Sequence, residues 1–144
     1  MKTLILLILL AIPAISQSLP DVSKFEFVGT SDGGKIGAFV NRKDAKRDGP
    51  YATFDGLLGV LSDGTHEIEP DNFIISTFRA NCTTNAFAIN HTKGIIDGKV
   101  IDRDEEPSTN VAEKGLLVYS VIRRVCDGPN LKDLSAPKAA VKYE

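Results

Sequence analysis

The chain has 144 residues and a formal net charge of −2 at pH 7, and 25% of its residues are charged. Its 17 Lys and Arg are balanced by 19 Asp and Glu, and it contains no Trp. Proteins that bind nucleic acid carry a basic excess and often stack bases on aromatic side chains. This composition therefore argues against a nucleic-acid partner.

Residues 1–16 have the pattern of a signal peptide. Lys2 supplies a positive charge, residues 4 to 12 are apolar, and small residues at positions 14 and 16 precede Gln17. This pattern predicts cleavage before Gln17. The apolar run of about nine residues is shorter than the roughly 20 that a membrane span needs. We expect an exported chain without a membrane span, which reaches the periplasm, the medium or the cell surface.

The chain has two cysteines, Cys82 and Cys126. An even pair in an oxidising compartment most simply forms one disulfide bond. A metal site is the alternative, but His66 and His91 are isolated and show no ligand spacing. We therefore expect the disulfide, and neither a metal nor a cofactor.

Asp-Gly pairs at positions 32, 48, 63 and 97 divide the middle of the chain into short apolar or alternating runs. Asp-Gly readily adopts the positive φ angles of tight hairpin turns. The runs predict an antiparallel sheet of about six strands, arranged as a meander. The predicted strands lie near residues 24–29, 35–40, 51–61, 72–82, 84–91 and 94–102.

In the segment before Cys126, the spacing of the apolar residues changes from that of a strand to that of a helix. At about 100° per residue, the spacing of an α-helix, six residues fall on one apolar stripe: Val111, Gly115, Val118, Ile122, Val125 and Cys126. Asn110 is the predicted N-cap, and Gly115 is predicted to let the helix approach the sheet closely.

Strand alternation puts Cys82 on one face with Phe78 and Ala80. Because Cys126 lies on the apolar stripe, the disulfide is predicted to join the helix to one face of the sheet. We thus expect an α+β domain at residues 17–128, and a flexible tail at 129–144, where no periodicity remains.

The order of these segments resembles that of the surface-adhesin protein E family, small exported bacterial domains. The resemblance covers residues 24–126. It rests on four segments: the strand Phe25–Gly29 with its Gly-rich turn, the strand end Ala38–Asn41, the strand Ile74–Cys82, and the end of the helix, Ile122–Cys126. It implies a six-stranded antiparallel sheet with a C-terminal helix, joined by a disulfide. This chain lacks the cysteine that lipid-anchors the founding member.

The resemblance also implies a non-catalytic binding domain. In the best-known member the ligands are host matrix and serum proteins such as laminin, vitronectin and plasminogen, and haem. The alternative is an exported inhibitor or assembly factor that binds a bacterial envelope protein. We expect no enzyme, because no serine lies in a strand-turn-helix elbow and both cysteines are expected to be oxidised.

A basic segment is the candidate binding site in the sequence. Its four cations could meet an acidic partner, although a solvated loop is the simpler interpretation. They are Arg42, Lys43, Lys46 and Arg47.

Overall fold

The computed structural model describes residues 21–106, 108–128 and 137–142, and the predicted signal peptide lies outside these ranges. The strands are β1 (Glu26–Ser31), β2 (Ile36–Val40), β3 (Lys46–Asp48), β4 (Tyr51–Leu61), β5 (Glu67–Asn81), β6 (Ala86–Ile96), β7 (Lys99–Asp104), β8 (Asn110–Val111) and β9 (Ala140–Val141). The described helix, α1 (Leu117–Cys126), has ten residues. It is too short to cross a membrane, and no helix in these ranges is long and apolar enough to do so.

The strands form one curled sheet whose main path runs β1-β2-β4-β5-β6-β7. Neighbours on this path are antiparallel. The short strands extend it at the sides: β3 pairs with β4, β8 with β6, and β9 with β5. The predicted meander of about six strands is confirmed, and the described part of the chain is dominated by the sheet.

The Asp-Gly pairs at positions 32, 48, 63 and 97 lie at turns, whereas Asp55-Gly56 lies within β4. Positive φ angles occur at Gly33, Gly49, Gly64 and Gly98, and Asp97 has φ 50°. The predicted strand at 94–102 is wrong, because the turn at Asp97-Gly98 divides it. β6 continues to Ile96, and Lys99 pairs back with Ile96 in a two-residue hairpin.

Apolar side chains pack together on both faces of the central strands. On the face that carries α1, which we call the helix-side face, Ala38, Phe54, Phe78 and Ala80 pack in one cluster with Ile122. A second cluster on the opposite face consists of Val22, Phe25, Phe39, Leu57, Leu61, Ile68, Phe73, Ile75 and Ala139. The alternation predicted for β5 is confirmed, since Phe78 and Ala80 lie in the first cluster and Phe73 and Ile75 in the second.

The helix begins later than the sequence predicts. Its second half is as expected, with Ile122 and Val125 buried and Gly128 at φ 77° after its end. Its predicted first half is wrong: Asn110 is not its cap, because residues 110 and 111 pair with β6 instead. Gly115 has φ 98°, which lies outside the α-helical region.

Gly115 does not pack against the sheet. A Cβ atom added there would have no atom within 4 Å. The residue serves the chain reversal before α1 rather than a close approach between helix and sheet, so the predicted packing role is wrong.

The C-terminal residues that the structure describes belong to the fold. Ala139 is buried against the opposite face, and residues 140–141 pair in parallel with residues 67–68. The prediction of a flexible tail is therefore wrong for residues 137–142. Residues 129–136 and 143–144 lie outside the described ranges.

The disulfide is predicted to supply a large part of the stability. It closes a 45-residue loop, counting both cysteines of a pair 44 apart. Replacing both residues (Cys82→Ser with Cys126→Ser) should lower the free energy of unfolding by up to about 4 kcal/mol, since the unfolded chain regains loop entropy. Urea denaturation measures the change, and a loss below about 1 kcal/mol would contradict this role.

Replacing Gly115 by any other residue should destabilise the protein by a similar amount, whatever the size of the new side chain. Gly115→Ala and Gly115→Leu should each lower the free energy of unfolding by about 1–2 kcal/mol, because the left-handed backbone strains every residue with a Cβ atom. The exposed neighbour variant Glu113→Ala is the matched control. A much larger loss for Leu than for Ala would show that Gly115 is packed after all.

Candidate functional site

The disulfide joins the residue after β5 to the last residue of α1. The two sulfur atoms of Cys82 and Cys126 are 2.07 Å apart, and their Cα atoms 5.4 Å. Arg47 donates from Nη1 to Cys82 Sγ at 3.0 Å and to Cys126 O at 3.4 Å. Arg123 donates from Nη1 to Cys82 O at 2.7 Å and to Asn85 Oδ1 at 2.9 Å. Two guanidinium groups thus reinforce the bond between helix and sheet.

The basic segment does not form one cationic surface. Arg42 is 11% exposed and pairs with Glu26, with Nη2 2.7 Å and Nε 2.8 Å from Oε2. Arg47 is engaged at the disulfide. Lys43 and Lys46 are exposed. The structure therefore places two of the four predicted cations in contacts within the fold, and leaves Lys43 and Lys46 at the surface.

An apolar groove lies on the helix-side face beside the beginning of α1. Because α1 begins only at Leu117, part of the sheet next to it is uncovered. The groove has a volume of about 360 Å³, and Ile36, Leu58, Ile74, Phe87, Ile89 and Val118 contribute to its lining. Leu58 is 41% exposed there. We call this surface the helix-side groove.

The helix-side groove continues along the sheet away from α1. A second depression of about 290 Å³ shares Ile36, Leu58 and Ile74 with it and reaches Ile96. Ile96 is itself exposed. Together the two depressions form a continuous apolar surface, whereas the surface of a soluble protein normally shows scattered single hydrophobic residues.

The groove offers few polar anchors. Ser76 lies in its lining, but its hydroxyl is buried and 3.2 Å from the hydroxyl of Thr92. Gly56 also lies there, and a Cβ atom added to it would be 2.9 Å from the ring of Phe78. Because these side chains are apolar or already hydrogen-bonded, the groove is suited to contact with apolar groups of a partner.

The sequence did not reveal this groove. A helix beginning near Asn110, as the periodicity predicted, covers more of the sheet than one beginning at Leu117. Two features cause the difference: residues 110 and 111 pair with β6, and Gly115 has a positive φ. The useful signal was the glycine itself, since glycine before a helix often allows a chain reversal.

A second polar feature is His91 between two carboxylates of β7. Its Nε2 is 2.7 Å from Asp102 Oδ1, and its Nδ1 is 2.9 Å from Asp104 Oδ1. The hydrogen bond to Asp104, together with the negative charge of Asp102, raises the pKa of His91 above its ordinary 6.5. The protonated ring therefore links β6 to β7.

Histidine and the two aspartates do not form a metal site. Among the described residues, no group of three or more His, Cys, Asp or Glu side chains is arranged to hold a metal ion. The ring of His66, the other histidine, stacks on Phe27 with centroids 3.9 Å apart.

The His91 pair should make stability depend on pH. Because its pKa is raised, the ion pair stabilises the fold below about pH 6.5, and this contribution is lost as the pH rises through the raised pKa. In NMR titration, the midpoint of His91 should fall when Asp102 and Asp104 are both changed to Asn. The exposed turn variant Asp63→Asn should leave it in place. An unchanged midpoint in the double variant would refute the pairing.

Comparisons with known proteins support the fold alone. No protein-family model matches the chain, and no curated protein matches its sequence significantly. Crystal form II of Haemophilus influenzae protein E has a TM-score of 0.51 and 9% identity over 73% of this chain and 88% of that chain. Another structure of the same protein has a TM-score of 0.51 and 11% identity over 76% of this chain and 90% of that chain. The chain therefore shares the fold of protein E, at an identity that does not establish a common family.

Proposed function

We propose that this chain is an exported, non-catalytic binding domain that acts in the manner of the surface-adhesin protein E family. Its ligands are host matrix or serum proteins, and the helix-side groove is the contact surface. The observation that carries the proposal is this groove, in which Leu58 is 41% exposed beside largely apolar neighbours. Exposed apolar surface of this kind is typical of protein interaction sites.

The fold supports the proposal. The likeness to protein E covers 88% and 90% of the two solved chains. It covers 73% and 76% of this chain, so it supports a protein E-like fold for most of the domain. Because fold alone does not determine function, the ligand class is taken from the sequence resemblance of residues 24–126.

Export is part of the proposal. The bond between Cys82 and Cys126 fits an oxidising compartment outside the cytoplasm. The sequence pattern of residues 1–16 supplies the route, as a cleaved signal peptide. The same compartment also contains the targets of the alternative function, the bacterial envelope proteins.

Immobilised protein should distinguish these partners. The protein, purified in its oxidised form, is exposed separately to laminin, vitronectin and plasminogen, and to an envelope extract of the producing cells. Saturable binding to a matrix or serum protein supports the proposal. Binding only to an envelope protein would instead indicate an inhibitor or assembly factor, and would contradict the adhesin-like function.

A single groove variant should separate binding from folding. Leu58→Gln should weaken binding of the captured ligand roughly ten-fold or more, since it places a polar group in the apolar contact. Its free energy of unfolding should change little, because Leu58 is already partly exposed. Val111→Gln is the matched control, since Val111 is exposed and lies outside the groove lining. Equal binding by both variants would place the contact elsewhere.

A further inference from the structure

The outer strands of the sheet, β1 and β7, differ in how they are covered. Residues 137–139 run along β1: Phe27 N–H donates to Pro137 O at 2.9 Å, and Ala139 N–H donates to Phe25 O at 2.7 Å. β7 pairs with β6 on one side. On its other side no strand within the described ranges pairs with it. Among residues 21–106, 108–128 and 137–142, one edge is thus covered in part and the other is open.

The hydrogen-bond pattern identifies the open groups of β7. In an antiparallel pair, hydrogen-bonded and non-hydrogen-bonded residues alternate. Glu105 N–H donates to Asn90 O at 2.9 Å, which fixes the alternation, and the β6-β7 register has no bulge. The backbone groups that point towards β6 therefore belong to Lys99, Ile101 and Arg103. Those that point outward belong to Val100, Asp102 and Asp104.

With respect to the described part of the chain, these outward groups are free to pair with an added strand. Within the described residues, none of the hydrogen bonds involves the outward backbone N–H or C=O of Val100, Asp102 or Asp104. An open edge of this kind accepts an added strand through its main chain, and the side chains then determine which strand fits.

The side chains of β7 favour a basic strand. Asp102 and Asp104 each bond to His91 through Oδ1, and with these bonds made Asp102 is still 69% exposed and Asp104 94% exposed. Both lie on the same face as Val100, since alternate residues share a face. Two carboxylates around one protonated ring leave a net negative charge on this face. Opposite charges across neighbouring strands stabilise the pair, and like charges destabilise it. Full antiparallel overlap of two copies would place Asp102 opposite the Asp102 of the second copy, so self-pairing is disfavoured.

We propose that the open edge of β7 binds an extended segment of a partner protein that carries basic residues at alternate positions. This inference rests on the proposed function, because it names the partner chemistry of a binding domain. The backbone of Val100, Asp102 and Asp104 forms the added ladder. The carboxylates of Asp102 and Asp104 select lysine or arginine on one face of the incoming strand.

The edge is continuous with the helix-side groove. Register partners place Leu58, Ile74, Gly94 and Ile101 in one row across β4 to β7. Gly94 has no side chain to interrupt this row, and a Cβ atom there would overlap the carbonyl oxygen of Phe73. The second face of an added strand therefore adjoins Ile101 and the groove beyond it. One partner segment, basic on one face and apolar on the other, meets both surfaces.

Amide hydrogen exchange tests this pairing residue by residue. The probe is a synthetic peptide that alternates threonine and lysine, added to the oxidised protein. Exchange at Val100, Asp102 and Asp104 should slow at least roughly ten-fold at saturation, because these amides become hydrogen-bonded. Exchange at Lys99, Ile101 and Arg103 should change less, since these amides already bond to β6. No selective slowing of the first three amides would overturn the proposal.

Two control peptides separate strand addition from simple charge attraction. Methylation of all backbone nitrogens keeps the lysine charges but prevents pairing, so this peptide should not slow exchange. A peptide with glutamate in place of lysine should pair less well. Equal protection by the methylated peptide would contradict strand addition, and equal protection by the acidic peptide would contradict the charge selection.

Variants of β7 test the same surface from the protein side. Asp102→Pro removes an outward N–H without removing a bond to β6, and should abolish binding of the threonine-lysine peptide. Changing Asp102 and Asp104 both to Lys keeps the backbone and should reverse the preference towards the acidic peptide. If Asp102→Pro fails to fold, as circular dichroism would show, the charge reversal still decides. Retention of the original preference would overturn the proposal.

The two proposals fail in different ways. If the threonine-lysine peptide binds as described but no matrix or serum protein does, the edge site stands and the adhesin-like function falls. If a matrix or serum protein binds equally well to the wild type and to the Asp102 and Asp104 variants, the function stands and the edge is not its contact.

Discussion

The bond between Cys82 and Cys126 is the constraint on which the arrangement of this domain depends. It fixes the end of α1 to the end of β5, and Arg47 and Arg123 add hydrogen bonds at the same place. With its last residue fixed, the helix covers the sheet only as far as its length allows. Ten residues reach about 15 Å at 1.5 Å per residue. The sheet next to Leu117 is consequently left exposed.

The exposed surface has two connected parts with different chemistry. The helix-side groove is apolar and has few free polar groups. The edge of β7 offers main-chain donors and acceptors beside two exposed carboxylates. The row from Leu58 to Ile101 connects them through Gly94. In an interface of this kind the apolar contact contributes affinity, and the directional main-chain hydrogen bonds fix the register of the bound strand.

Local chemistry made much of the fold predictable. Four Asp-Gly pairs marked turns because glycine readily adopts the required positive φ, although Asp55-Gly56 lies within β4. Strand parity placed Phe78 and Ala80 beneath the helix. The start of α1 could not be predicted in the same way. Val111 continues the helical stripe, but pairing with Ala86 takes it into the sheet, and only tertiary contact reveals this preference.

The candidate sites were predicted less well for the same reason. A run of cations in a loop indicates charge but not the partners that the fold supplies. Arg42 meets Glu26 from β1, and Arg47 meets the disulfide. Likewise, the position of β7 at an edge of the sheet formed by the described residues follows from strand order. Neither the partners of the two arginines nor the strand order can be read from the local sequence.

Hydrogen–deuterium exchange of the complex with the captured matrix or serum protein would map the contact onto individual strands. We expect added protection on β7 and in the segments around Leu58 and Ile74, with little change around Lys43 and Lys46. Protection confined to the basic segment at residues 42–47, with β7 and the groove unchanged, would contradict this expectation.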